Sequence, residues 1–264
     1  MDLTHFSLFT GIGGLDLAAE WAGFETVGQC EYADYPTKVL EKHWPNVPRW
    51  KDVRDLSGKA IRERGIGEIT VLSGGFPCQP HSTAGKRKAS ADERDLWPEY
   101  RRLIGEIRPK WVVAENVQGL LSSEDGRFFR GILRDFSKLG FNVGWCMYPA
   151  CWVGAVHRRE RVFTIAYSDS VGRYTVDEGK SSKCCKAITQ IIDCSKAWAW
   201  PDAKCNDIFR NGSRIINSGI GANKRNDDGI ASGLYRLRCI GNMVMPQQAY
   251  PIFKAIAEIE RGIA

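Results

Sequence analysis

A series of short apolar runs, each followed by a turn and a stretch of helical period, decides what this chain can fold into. The clearest is Trp111-Val112-Val113-Ala114, apolar at every position and closed by a carboxylate, Glu115. A strand without polar alternation has to be covered on both faces, the condition of a parallel sheet held between helices. Strands are predicted at residues 5–9, 26–31, 69–73, 111–115, 141–148 and 162–167, and helices at 14–22, 35–44, 96–107 and 128–139. This alternation predicts an α/β fold, a Rossmann-like and mostly parallel sheet with helices on both faces.

At Ser168 the texture changes. Residues 168–235 are rich in Gly, Asn, Asp, Ser and Lys, carry four cysteines (Cys184, Cys185, Cys194, Cys205) and show no clear period. They read as a small irregular second domain of short strands and loops. Residues 236–264 return to the first domain, residues 1–167, through a helix at 246–263 with Pro246 in its first turn.

Composition narrows the setting. Hydrophobic residues at 43% and charged residues at 26% of 264 are ordinary for a globular protein. No apolar stretch approaches the ~20 residues of a membrane span. The start, Met1-Asp2-Leu3-Thr4-His5, has no basic stretch leading into an apolar core. Nine scattered cysteines, an odd number, argue for a reducing cytoplasm rather than a secreted disulfide framework. Those in residues 168–235 lack a C-x-x-C pair with a neighbouring His, so no metal site is expected. The net charge of +6 is compatible with a polyanionic partner.

Chemistry gathers at the ends of the predicted strands. Phe76-Pro77-Cys78-Gln79-Pro80 follows the run Ile69-Thr70-Val71-Leu72 and the pair Gly74-Gly75. Two prolines limit the backbone around Cys78, which suits a nucleophile that must meet one substrate atom. A buried structural cysteine is the plainer alternative. Phe9-Thr10-Gly11-Ile12-Gly13-Gly14 leaves the first strand and opens the first helix, where glycines let a ligand approach the backbone. Asp16 stands where G-x-G-x-x-G would place its third glycine, which argues against a diphosphate-bearing cofactor such as NAD. Glu31 lies ~20 residues on, where an acid grips ribose hydroxyls. Tyr32 is placed to stack on an adenine and Asp52 to accept from an amino group. That set fits an adenosine without a diphosphate and points to S-adenosyl-L-methionine. A tight turn flanked by solvated acids fits the same residues.

Glu115 should sit at the carboxyl end of a strand, where open α/β sheets gather their ligands. A carboxyl group in that half-apolar place is expected to have a raised pKa and to donate a proton near neutral pH. A helix cap or a surface position is the alternative. Arg159 and Arg161 are two apart and share a face if they begin a strand. Their donor forks suit a base carbonyl or a phosphate, or else mark a solvated edge strand. Residues 80–94 carry Lys86, Arg87 and Lys88 beside Ser82, Thr83 and Gly85, a polar basic loop that is either solvated or able to close over a phosphate backbone.

Taken in order, these motifs resemble the cytosine-C5 DNA methyltransferase family, of bacterial or phage type. Phe9-x-Gly11-x-Gly13-Gly14 is similar to its cofactor loop and Gly75-Phe76-Pro77-Cys78-Gln79 to its nucleophile motif. Glu115-Asn116-Val117 is similar to its Glu-Asn-Val motif, Arg159-Glu160-Arg161 to its Gln-x-Arg-x-Arg motif, and Gly241-Asn242-x-Val244 to its Gly-Asn-x-Val motif. The match spares only residues 168–235, which the resemblance makes the target-recognition domain. His157 replaces the usual Gln, His81 the usual Phe, and Met243 a small residue.

The resemblance implies a reaction on double-stranded DNA. A cytosine flips out of the duplex, Cys78 adds to C6, Glu115 protonates N3, and C5 takes the methyl group of S-adenosyl-L-methionine. It implies that Arg161 holds the cytosine O2 with Arg159 in support. Phe9, Gly11, Gly13, Gly14, Glu31, Tyr32, Asp52, Leu96, Asn242 and Met243 would line the cofactor site. Gln79, Ser82, Lys86 and Arg87 would contact DNA. A monomer is expected, with a cognate restriction endonuclease as a candidate partner. A transfer-RNA cytosine-5 methyltransferase would share these residues, but the Cys-Phe-Thr signature of that branch is absent. A catalytically silent DNA-binding relative would not need an intact Cys78 and Glu115. A nicotinamide oxidoreductase leaves Cys78, Glu115 and the arginines unexplained.

Overall fold

The computed structural model describes residues 2–77, 95–155, 157–168 and 243–262. Among these, seven strands form one sheet: β1 (Thr4–Leu8), β2 (Glu25–Cys30), β3 (Arg49–Trp50), β4 (Val71–Gly74), β5 (Trp111–Val117), β6 (Phe141–Pro149) and β7 (Glu160–Ser168). Their order is β3-β2-β1-β4-β5-β7-β6. The first five are parallel, while β7 runs antiparallel to both β5 and β6. The mostly parallel α/β sheet expected from the apolar runs is the observed one.

The helices are α1 (Gly14–Trp21), α2 (Asp34–His43), α3 (Gly58–Glu63), α4 (Trp97–Ile107), α5 (Gly119–Ser122), α6 (Arg127–Lys138) and α7 (Pro246–Glu260). They cover both faces. On one face Leu15, Ala18 and Ala19 of α1 and Ile252, Phe253 and Ile256 of α7 pack with Trp111, Val113, Phe163 and Ile165. On the other, Ile61 of α3, Tyr100, Leu103 and Ile104 of α4, and Ile132 and Phe136 of α6 pack with Phe6, Leu8, Leu72, Val112 and Ala114. Successive residues of β5 thus feed opposite layers, which is why that strand tolerates no polar residue before Glu115.

Pro246 does open α7, where its missing N–H is not needed. The far end of that helix is fastened to the start of β5: Trp111 Nε1 donates to Glu260 at 2.9 Å, and Lys110 pairs with the same carboxylate at 3.4 Å. The predicted bounds shift by a residue or two; β1 stops at Leu8, so Phe9 belongs to the turn and not the strand. The two-residue β3 and the one-and-a-half-turn α3 were not expected. Residues 169–235 of the predicted second domain lie outside the described residues. Among the described residues no helix is long and apolar enough to cross a membrane.

Candidate active site

Strands β2, β1, β4 and β5 lie side by side, so the turns at their carboxyl ends form one row. The turn after β1 is held in an unusual backbone state. Phe9 has φ +52°, Gly11 +58° and Gly13 +87°. For Phe9 this is the left-handed region, costly for a residue with a side chain and common where a site is over-determined by its surroundings. Its ring rests edge-on against Tyr100, 5.9 Å between centroids. Gly13 precedes α1 directly, and a Cβ there would lie 2.5 Å from the Trp44 ring. Both backbone angle and space therefore demand glycine.

Glu31 follows β2 and reaches back over this turn. Its carboxylate accepts from Gly11 N and from Ala33 N, each at 2.7 Å. The acid thus ties the β1 turn to the start of α2 through backbone amides. Tyr32 is 66% exposed and has the Lys51 ammonium 5.9 Å from its ring centroid. Asp52 accepts from Arg54 Nε at 3.0 Å and Arg54 Nη2 at 2.6 Å, and this hydrogen bonding holds its carboxyl below the usual range. Leu96 caps α4 and is half-buried. Gly14 does not face open space: a Cβ on it would lie 2.6 Å from the Val244 carbonyl oxygen and 2.8 Å from Met243 Cγ.

Beneath the turn lies a buried polar layer. Asp16 Oδ1 accepts from Ser7 Oγ at 2.9 Å and from Gln29 Nε2 at 2.8 Å, and Ser7 Oγ is 2.7 Å from Thr10 Oγ1. Arg49 Nε donates to Gln29 Oε1 at 2.9 Å. Burial raises the Asp16 carboxyl to about 6 against these bonds. The residue read from sequence only as a missing glycine is therefore an internal anchor joining β1, β2 and α1.

A second cluster forms where β5 ends. Glu115 is buried, 8% exposed, so neither a helix cap nor a surface position describes it. Its Oε1 lies 2.7 Å from Arg161 Nε. Among the described residues neither of these atoms has a hydrogen-bond partner, and Arg159 Nε and Nη2 are likewise buried and unpaired. Burial pushes the Glu115 carboxyl up to about 7, with Arg161 and Arg159 opposing the rise. Burial and the Arg161 charge lower the pKa of Arg159. Strand β7 lies between β5 and β6, so the solvated edge strand considered for the arginines is ruled out.

Two neighbours shape this pocket. A Cβ on Gly75 would lie 2.8 Å from Glu115 Oε2, so glycine lets the chain pass the acid. Asn116 Nδ2 donates to the Phe76 carbonyl at 3.0 Å, and its Oδ1 accepts from Val117 N at 2.8 Å. Asn116 therefore fixes the backbone two residues before Cys78. Sequence reading carried Asn116 only as part of a motif; a polar residue ending an otherwise apolar strand was the available signal. Cys78, Gln79, Ser82, Lys86, Arg87 and Asn242 lie outside the described residues. Among the described residues no group of three His, Cys, Asp or Glu side chains is arranged to hold a metal.

Fold and site together define a Rossmann-like α/β protein whose crevice runs along the carboxyl ends of its parallel strands, with a glycine turn at one end and a buried acid facing two arginines at the other. The family described as C-5 cytosine-specific DNA methylase matches residues 3–211, more than half of the chain, and the chain belongs to that family. It is 36% identical over 196 residues to the Type II methyltransferase M.NgoMIV of Neisseria gonorrhoeae, an alignment covering 73% of this chain and 60% of that protein. To the Type II methyltransferase M.Sau96I of Staphylococcus aureus it is 34% identical over 174 residues, 64% of this chain and 40% of the relative. The chain thus spans only part of these relatives' lengths. The solved structure of the Entamoeba histolytica methyltransferase EhMeth is similar in fold, with a TM-score of 0.64 at 16% identity, over 98% of this chain and 99% of that one.

Proposed function

We propose that the chain is a site-specific DNA (cytosine-5-)-methyltransferase using S-adenosyl-L-methionine. The observation that carries this reading is Glu115, a carboxyl raised to about 7 beside two arginines, next to the strand end that leads through Phe76 and Pro77 to Cys78. An acid half-protonated near neutral pH can give a proton to a ring nitrogen and take it back, as general acid–base work requires. Arg161 faces Glu115 at 2.7 Å, and the Nε and Nη2 donors of Arg159, which have no hydrogen-bond partner among the described residues, suit a ligand oxygen such as a base carbonyl.

In this reading the target cytosine leaves the stack, because its C6 is inaccessible within the duplex. Cys78 adds to C6 as the thiolate, the form in which a cysteine is nucleophilic. Glu115 delivers its proton to N3, which makes C5 nucleophilic, while Arg161 holds O2 with Arg159 behind it. After alkylation at C5, water takes the C5 proton, the C5–H electron pair forms the C5–C6 double bond, Cys78 leaves as thiolate, and N3 returns its proton to Glu115.

The residues of the β1 turn fit S-adenosyl-L-methionine. Among the described residues nothing beyond its chain neighbours lies within 4 Å of a Cβ placed on Gly11, Glu31 holds the turn through its amide, and Tyr32 offers an exposed ring face. Phe9, Gly11, Gly13, Gly14, Glu31, Tyr32, Asp52, Leu96, Asn242 and Met243 would hold it, Gly14 lying against Met243. When bound, it supplies a methyl group made electrophilic by the sulfonium. Asp52 would have to share its carboxylate with Arg54. Double-stranded DNA is the substrate, contacted by Gln79, Ser82, Lys86 and Arg87, and residues 168–235 select the sequence. The Type II names of the relatives fit a cognate restriction endonuclease, and nine scattered cysteines fit a cytoplasmic setting. The test is transfer of labelled methyl from S-adenosyl-L-methionine to duplex DNA: transfer by the parent and none by Cys78→Ala is expected. Full activity of Cys78→Ala would overturn the mechanism.

A further inference from the structure

Gln248 is fully buried in the first turns of α7, a helix that the reaction as written does not use. Its Nε2 donates to the Tyr148 carbonyl at 2.7 Å and to the Arg159 carbonyl at 3.2 Å. Both acceptors bear on the arginine pocket. Tyr148 is the β6 residue opposite Arg161 in the β6–β7 ladder, and Arg159 is itself one of the pair. One amide therefore grips both chains of the ladder where the arginines emerge. A few residues earlier the same segment closes on the cofactor turn, since the Val244 carbonyl and the Met243 side chain pack on the bare Cα of Gly14. Residues 243–248 thus touch the glycine turn at one end and the backbone of the arginines at the other.

We propose that Gln248 is a positioning residue for Arg159 and Arg161, and that residues 243–248 form a strut setting the distance between the cofactor turn and the base pocket. The inference rests on the reading of Arg159 and Arg161 as the base-holding pair. Removing this donor takes one hydrogen bond from each carbonyl, the Arg159 carbonyl keeping Ala150 N at 3.2 Å, and small displacements of reacting groups cost rate steeply. A buried glutamine that only anchors α7 would affect melting temperature and nothing else.

The test compares the parent chain with Gln248→Met in steady-state methylation of duplex DNA across pH. The expected result is a fall in kcat of about tenfold, with the KM for S-adenosyl-L-methionine within about twofold because the turn itself is untouched. The alkaline limb of the pH–rate profile should also move upward, since arginines drawn back from Glu115 oppose its protonation less. Unchanged kcat and an unmoved alkaline limb, with a lowered melting temperature, would overturn the proposal. If Gln248→Met does not fold, Gln248→Asn takes its place; its amide falls short of both carbonyls, and the same losses are expected. An active parent with an unchanged Gln248 variant overturns the strut alone. A parent whose kcat ignores Arg161→Met overturns the reading of the pair beneath it.

Discussion

Glu31 and Glu115 stand at the carboxyl ends of two parallel strands of one sheet, with β1 and β4 between them. Glu31 is partly exposed, and both its oxygens accept backbone N–H groups at 2.7 Å. Glu115 is buried; its Oε1 meets a guanidinium at 2.7 Å with no hydrogen bond among the described residues. The first carboxylate is spent on holding a turn in shape. The second is kept near its point of protonation in an ion pair with Arg161, beside Arg159 donors that have no hydrogen-bond partner among the described residues. A carboxylate satisfied by backbone amides builds a cradle, whereas a buried acid held by one arginine beside a second with spare donors suits a ligand.

The largest break in this comparison should come at Glu115. Glu115→Gln keeps the shape but cannot transfer a proton, and kcat for DNA methylation should fall by roughly 10²–10⁴. The same variant tests the electrostatics. Protonated Glu115 favours the fold fully below its unfolded value of 4.5, and this contribution is lost as pH rises through about 7. That change corresponds to roughly 3 kcal/mol of native stability. Melting temperature should therefore fall between about pH 4.5 and pH 7 in the parent and fall less in Glu115→Gln; parallel curves would assign the charge cost elsewhere.

Gly75→Ala should have a smaller effect of the same kind. The new Cβ would stand 2.8 Å from Glu115 Oε2, so the acid has to move. A loss of about 1–3 kcal/mol in stability is expected, with kcat for methylation reduced and affinity for S-adenosyl-L-methionine retained. Equal losses in kcat and cofactor affinity would show that the two ends of the crevice are not separable at this glycine.

The mildest change belongs to the cradle. Glu31→Gln can accept only one of the two amide bonds as before, and each such bond contributes about 0.5–1.5 kcal/mol. Binding of S-adenosyl-L-methionine, measured by calorimetry, should weaken by about tenfold with kcat at saturation preserved. A fall in kcat at unchanged affinity would exchange the roles given to the two glutamates.

The same contrast explains what could be read from the chain. The sheet was legible because β5 and its neighbours are apolar in runs, and burial on both faces leaves that mark directly in the sequence. Glu115 was legible for the same reason, as the polar residue that ends such a run. Strand β3 was not, because Arg49 and Trp50 are too few to show a period. Asp16 was seen only as a glycine that failed to appear; its partners Ser7 and Gln29 come from two other elements and share no spacing with it. Gln248 follows a proline and a second glutamine and looks like any polar first turn, and only the return of α7 against β6 and β7 buries it.

The central claim is that Cys78 attacks C6 of a cytosine that Glu115 activates. Duplex DNA carrying 5-fluorocytosine at the methylated position tests it most directly, because fluorine at C5 cannot leave as a proton does. With S-adenosyl-L-methionine present, the parent should form a protein–DNA adduct stable to denaturing electrophoresis, Glu115→Gln should form it far more slowly, and Cys78→Ala should form none. A parent that methylates ordinary DNA yet leaves no adduct, or an adduct that survives Cys78→Ala, would contradict the claim.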